Sequence, residues 1–181
     1  MSRIGRMPIT VPAGVTVTVS AENVVTVKGP KGELSTAIKS DKITVKMENN
    51  EISVLRADDN KESRSLHGLY RMLIANMVTG VVTPFTKTLV IAGVGYKAAV
   101  SGKKLTLNLG LSHPVEIEIP EGITITCPDL LTVIVSGVSK EQVGQVAAQI
   151  KAKRPVEPYH GYGIHYSDEV VIRKEGKTAG K

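Results

Sequence analysis

Tryptophan is absent from this 181-residue chain, phenylalanine and cysteine occur once each, and the rings are chiefly five tyrosines. With so few aromatics the interior has to be assembled from valine, isoleucine, leucine and alanine, which suits sheets and short helices. The single cysteine, Cys127, excludes an intramolecular disulfide and fits a reducing compartment. It sits in an alternating apolar run, so it is expected to be a small buried hydrophobe. No apolar run approaches the roughly 18 residues of a membrane span, and Met1-Ser2-Arg3-Ile4-Gly5-Arg6 lacks the apolar stretch of a secretory leader. A soluble, cytoplasmic protein is the expectation.

Enzyme signatures are lacking too. Gly176-Lys177-Thr178 imitates the end of a phosphate-binding loop, but Val171 stands where the leading glycine belongs. Gly93-Val94-Gly95 breaks the dinucleotide fingerprint because position 98 is Ala. His160 and His165 have a spacing that suits a metal, yet no third ligand in a rigid frame stands near, and His67 and His113 are isolated. No nucleophile, base and orienting group read as a unit. No cofactor, metal or small-molecule substrate is expected.

What the chain has is positive charge and two periodicities. The net charge is +6 and the pI about 9.4, which favours a polyanionic partner. Cations exceed anions by three over residues 1–82, by none over 83–150 and by three over 151–181. The excess lies toward the ends.

Two-residue alternation, as in Val15, Val17 and Val19 or Leu105, Leu107 and Leu109, predicts half-buried strands. Gly29-Pro30-Lys31-Gly32, Asn49-Asn50 and Ser101-Gly102-Lys103 separate such runs as hairpin turns. Helical period appears twice. Over roughly 60–79, Leu66, Leu69, Tyr70, Leu73, Ile74 and Met77 share one face, and Arg64, His67 and Arg71 group on another, solvated or partnered. After the Ser139/Gln142 capping box, Val143, Val146, Ala147 and Ile150 line a second helix that Pro155 stops.

Pro12-Ala13-Gly14-Val15-Thr16-Val17-Thr18 matches Pro120-Glu121-Gly122-Ile123-Thr124-Ile125-Thr126 at an offset of 108, held to Gly29 and Gly137. Lys61-Glu62-Ser63 matches Lys140-Glu141-Gln142 at an offset of 79, which implies an extra hairpin at different places in the two halves. The expected fold is α+β: two tandem related domains, 1–82 and 83–181, each an antiparallel sheet with one helix packed on a face.

Beyond the second helix the chain turns rich in Lys, Pro, Gly, Tyr and His. Lys151, Lys153 and Arg154 precede Tyr159, His160, Gly161, Tyr162, Gly163 and His165. Cations neutralise phosphates, and Tyr and His rings stack on unpaired bases. The other reading is an irregular loop folding its tyrosines onto its own core. Arg173, Lys174, Lys177 and Lys181 end the chain, either as a solvated tail or as an extension that orders on RNA. In Gly93-Val94-Gly95-Tyr96-Lys97 the glycines mark a strand bulge or a close approach of another backbone.

Four ordered stretches, Met1-Ser2-Arg3-Ile4-Gly5-Arg6-Met7-Pro8-Ile9, Val27-Lys28-Gly29-Pro30-Lys31-Gly32-Glu33-Leu34, Gly93-Val94-Gly95-Tyr96-Lys97-Ala98 and Glu157-Pro158-Tyr159, resemble the bacterial family of the sixth protein of the large ribosomal subunit. The resemblance runs nearly end to end. It implies a structural constituent without catalysis, contacting large-subunit ribosomal RNA mainly through its second domain. The implied place is the factor-binding region near the stalk base, with neighbouring large-subunit proteins as partners and no membrane. The expected RNA-binding residues are Lys97, Lys151, Lys153, Arg154, Tyr159, His160, Tyr162, His165, Arg173, Lys174 and Lys177. At His160, Tyr162 and often His165 the family pattern has cations, so this chain departs from it by putting rings there. The alternatives are a free-standing RNA-binding or assembly-chaperone module and, with no constellation to support it, a small hydrolase.

Overall fold

A computed structural model describes residues 3–20 and 22–177. The chain divides into two compact units. One runs to Pro84 and takes in Val138–Lys140; the other comprises Phe85–Gly137 and the chain from Glu141 onward.

The first unit contains β1 (Ile9–Thr10), β2 (Thr16–Val19), β3 (Val24–Gly29), β4 (Gly32–Ala37), β5 (Ile43–Glu48), β6 (Glu51–Arg56) and α1 (Lys61–Gly80). The strands form two antiparallel sheets, β2-β3-β4 and β1-β6-β5. Alternation decides what faces inward: Val17, Val25 and Val27 from one sheet and Ile43, Val45, Ile52 and Val54 from the other are buried. They share one apolar cluster with Tyr70, Ile74 and Met77 of α1. Asn49 and Asn50 take φ of 48° and 61°, the left-handed pair that joins β5 and β6 in a two-residue turn.

Of the basic face expected on α1, Arg64 is exposed and Arg71 half-buried, but His67 turns inward. His67 is 3% exposed, while Leu69, assigned by spacing to the core, is 51% exposed. The reason is that His67 has both ring nitrogens satisfied inside the unit. Nδ1 lies 3.2 Å from the Arg56 guanidinium and Nε2 lies 2.8 Å from the Val54 carbonyl. A guanidinium only donates, so Nδ1 accepts and Nε2 carries the proton. Arg71 donates to the carbonyls of Met7 at 3.1 Å and Pro8 at 3.3 Å. Arg64 pairs with Asp59 at 2.5 Å and holds that carboxyl below the usual carboxylate range. All three groups therefore serve the unit's own structure.

The second unit contains β7 (Phe85–Ala92), β8 (Lys97–Ser101), β9 (Lys104–Asn108), β10 (Val115–Glu118), β11 (Ile123–Asp129), β12 (Thr132–Gly137), α2 (Lys140–Ala152) and β13 (Gly163–Tyr166). Its sheets are β10-β9-β8 and β11-β12-β7-β13. Val143, Val146, Ala147 and Ile150 of α2 join Leu89, Ile91, Leu105, Leu107, Val133, Val135 and Ile164 in its core. Cys127 is only half-buried, and desolvation pushes its thiol up, away from the thiolate.

Each unit thus has two sheets where one was expected, and the halves correspond differently from the 108-residue match. In both, a first strand pairs with the strand that precedes the helix, giving β1-β6-β5 and β11-β12-β7, and a three-stranded meander lies between, β2-β3-β4 and β8-β9-β10. The helix starts set the true offset of 79, Lys61 against Lys140. No extra hairpin is needed, and β13 is the addition to the second unit. The 108 match joins two hairpins of equal register, Val17↔Val27 and Ile125↔Val135, that occupy different topological places. Strand alternation with the same turn spacing makes such hairpins alike locally.

Candidate RNA interface

The expected site residues all lie in the second unit, and most come together where α2 ends. Lys151 is the penultimate residue of α2, Lys153 and Arg154 follow it, and the chain loops through residues 155–162 into β13. Two backbone contacts close the loop: the Ile164 amide donates to the Arg154 carbonyl at 2.9 Å and the Glu157 amide to the Tyr162 carbonyl at 2.9 Å.

Glu157 organises what lies between. The next residue, Pro158, has no amide hydrogen, so the carboxylate reaches past it. Oε2 accepts the Tyr159 amide at 3.2 Å and Oε1 accepts the His160 amide. Oε1 also lies 3.3 Å from His160 Nδ1. Burial opposes the charge on Glu157, but the amides of His160, Tyr159 and Tyr162 outweigh it and hold the carboxyl below its ordinary range.

The rings of His160 and Tyr162 are stacked, 5.4 Å between centroids and 18° between planes. Tyr159 is 54% and Tyr162 39% exposed, so these tyrosines do not fold onto the core. Gly161 between them has φ +78°, a conformation costly for any residue with a Cβ. A Cβ there would stand 2.8 Å from Nε of Arg173.

The tail does not run off into solvent. The Lys174 amide donates to the Pro158 carbonyl at 2.7 Å, so Arg173 and Lys174 lie against the loop that carries the rings. Arg173, Lys174 and Lys177 are exposed, as is Lys153, whereas Arg154 is half-buried. Lys181 and Thr178, like Met1 and Ser2 at the start, fall outside the described residues.

Three expected site residues stand differently. Lys151 is engaged within the unit: its Nζ meets Glu169 at 2.5 Å and lies 4.8 Å from the centre of the Tyr166 ring, and it holds the Glu169 carboxyl below its ordinary range. His165 sits inside β13 opposite Val90, half-buried, and its Nδ1 is buried without a hydrogen-bond partner among the described residues. Lys97 is exposed but opens β8, in the other sheet. The glycines before it form no strand bulge. Tyr96 donates its amide to the Gly93 carbonyl at 3.4 Å in the turn between β7 and β8, with Gly95 at φ +75°.

Sequence reasoning missed Glu157 as the organiser of the loop, and Lys87, which pairs with Asp168 at 3.4 Å and lies 5.3 Å from the Tyr166 ring centre. The carboxylate-proline order, which directs Glu157 to the second and third residues beyond it, was the available signal. Among the described residues no three potential ligands cluster to hold a metal ion, and no helix is long and apolar enough to cross a membrane.

The family model described as Ribosomal protein L6 matches residues 11–83 and 92–167, two segments whose starts lie 81 residues apart, close to the offset of the helices. A protein named large ribosomal subunit protein uL6 from Clostridium kluyveri is 56% identical over 181 residues, all of both chains. One of the same name from Clostridium perfringens is 57% identical over 178 residues, 98% of this chain and 99% of that one. A third, from Clostridium botulinum, is 58% identical over the full length of both. With this cover and identity, the chain belongs to the Ribosomal protein L6 family of structural, non-enzymatic constituents of the large ribosomal subunit.

Proposed function

We propose that the second unit binds large-subunit ribosomal RNA through the 157–162 loop and the tail at Arg173, Lys174 and Lys177, with Lys153 and Arg154 at its flank. In this reading the chain sits near the factor-binding region and the base of the stalk, beside neighbouring large-subunit proteins. It holds RNA helices in place beneath the surface where translational GTPases dock. The observation that carries the reading is the Lys174–Pro158 hydrogen bond of 2.7 Å. It joins cations and exposed rings, far apart in sequence character, into one surface. Cations supply the counterion-release part of RNA affinity, and rings supply contact with unpaired bases.

Sedimentation of lysate containing the tagged full chain, at moderate and then high salt, tests it. Co-migration with mature large subunits at moderate salt is expected. Migration as free protein already at moderate salt contradicts it, and confinement to precursor fractions supports an assembly chaperone instead.

A further inference from the structure

We propose that the 157–162 loop and Arg173 form a site for one unpaired RNA nucleotide, its base lying on the His160–Tyr162 ring stack and its phosphate meeting the Arg173 guanidinium. The inference rests on the RNA-binding reading above and specifies what that surface recognises.

The two rings are already stacked, 5.4 Å apart and 18° from parallel, and the His160 side chain is 71% exposed. Such a pair ends in a flat, solvent-facing ring whose orientation is set before any partner arrives. A third flat ring extends the stack; a phosphate backbone gains nothing from it. Base-paired residues of a helix have both faces covered by their neighbours, so only an unpaired base fits.

The surroundings agree in charge. An acid in a loop facing RNA would repel phosphate, but the Glu157 oxygens are turned to the amides of Tyr159 and His160. The same carboxylate lies 3.3 Å from Nδ1 at the edge of the His160 ring and leaves the ring's face for stacking. Beside the stack, the guanidinium of Arg173 lies over Gly161, close enough that a Cβ there would sit 2.8 Å from Nε. Arg173 is exposed, and the Lys174–Pro158 hydrogen bond holds its backbone at the loop. A planar donor fork at that place suits a phosphate.

Filter binding of the purified full chain to deproteinised large-subunit ribosomal RNA, over a series of salt concentrations, tests the site. The double variant His160→Ala, Tyr162→Ala is expected to bind about tenfold more weakly, the loss of one stacked base. His160→Phe with Tyr162→Phe keeps the platform and should bind as the parent does. Arg173→Gln should make the salt dependence shallower by roughly one phosphate contact. Parent-like binding of the alanine pair overturns the proposal, and so does an equal loss in the phenylalanine pair, which would assign the effect to the polar edges. If the parent shows no preference for large-subunit over small-subunit ribosomal RNA, the underlying reading fails instead.

Discussion

One oxygen of Glu157, Oε1, accepts the amide of His160 and lies 3.3 Å from that residue's Nδ1. A single carboxylate thus binds the backbone and lies against the ring edge of the residue that begins the aromatic stack. The loop owes its shape to this grip and to its backbone closures, because no residue from Glu157 to His160 is buried.

Replacing Glu157 with Ala is expected to expose the Tyr159 and His160 amides to hydrogen exchange about tenfold faster, since a charged acceptor holds an amide more strongly than a neutral one. Glu157→Gln keeps an acceptor oxygen and should fall between. Exchange rates unchanged in the alanine variant would remove Glu157 from this role.

Acid should loosen the same region. Both Glu157 and Glu169 have folded-state carboxyls held below the ordinary range, the first by amides against the effect of burial, the second by Lys151. A carboxyl lowered in the folded state contributes stability that is present above its unfolded value and lost as pH falls through the folded one. Denaturation of Glu169→Gln should therefore show a smaller stability loss than the parent below about pH 4.3, the ordinary glutamate value, with the difference from the parent largest at neutral pH. Parallel curves would contradict it.

In the first unit the N-terminal segment is seated by contact between Gly5 and His67. A Cβ on Gly5 would stand 2.5 Å from Nδ1 of a ring that is buried and bonded at both nitrogens. Gly5→Ala should destabilise that unit by about 1–3 kcal/mol, the usual cost of overpacking, read by thermal melting. Unchanged melting would mean that the segment lifts away without consequence.

The core of the second unit offers a control that leaves the RNA face untouched. Ile150 is fully buried, and Ile150→Ala should cost about 2–5 kcal/mol through lost transfer energy and a cavity. Chemical denaturation measures it; a loss under about 1 kcal/mol would show that the site collapses freely.

What could be read from the sequence followed from local rules. The Asn49-Asn50 turn, the Pro155 stop after α2 and the inward valines of β3 and β12 depend on near neighbours alone. β1 is only two residues long, too short to alternate. β13 begins with a glycine and pairs with β7 across more than seventy residues, Ile164 opposite Ile91, so its strand character comes from a distant ladder. His67 defeated the helix reading because its polarity is cancelled by Val54 and Arg56 on another element. Glu157 was passed over because a side chain gripping the amides of its own loop leaves no periodic trace. The basic tail was legible in composition, but its return to Pro158 is a tertiary contact, and no count of lysines reveals it.

The central claim is that the 157–162 loop and its returning tail form the face that enters the large subunit. Incorporation of the Arg154→Glu, Lys174→Glu double variant, measured against the parent in sedimented mature large subunits, tests it most directly. A folded variant depleted from mature subunits is the expected result, since two reversed charges at a phosphate surface remove counterion release and add repulsion. Incorporation equal to the parent would place the RNA-contacting surface elsewhere on the chain.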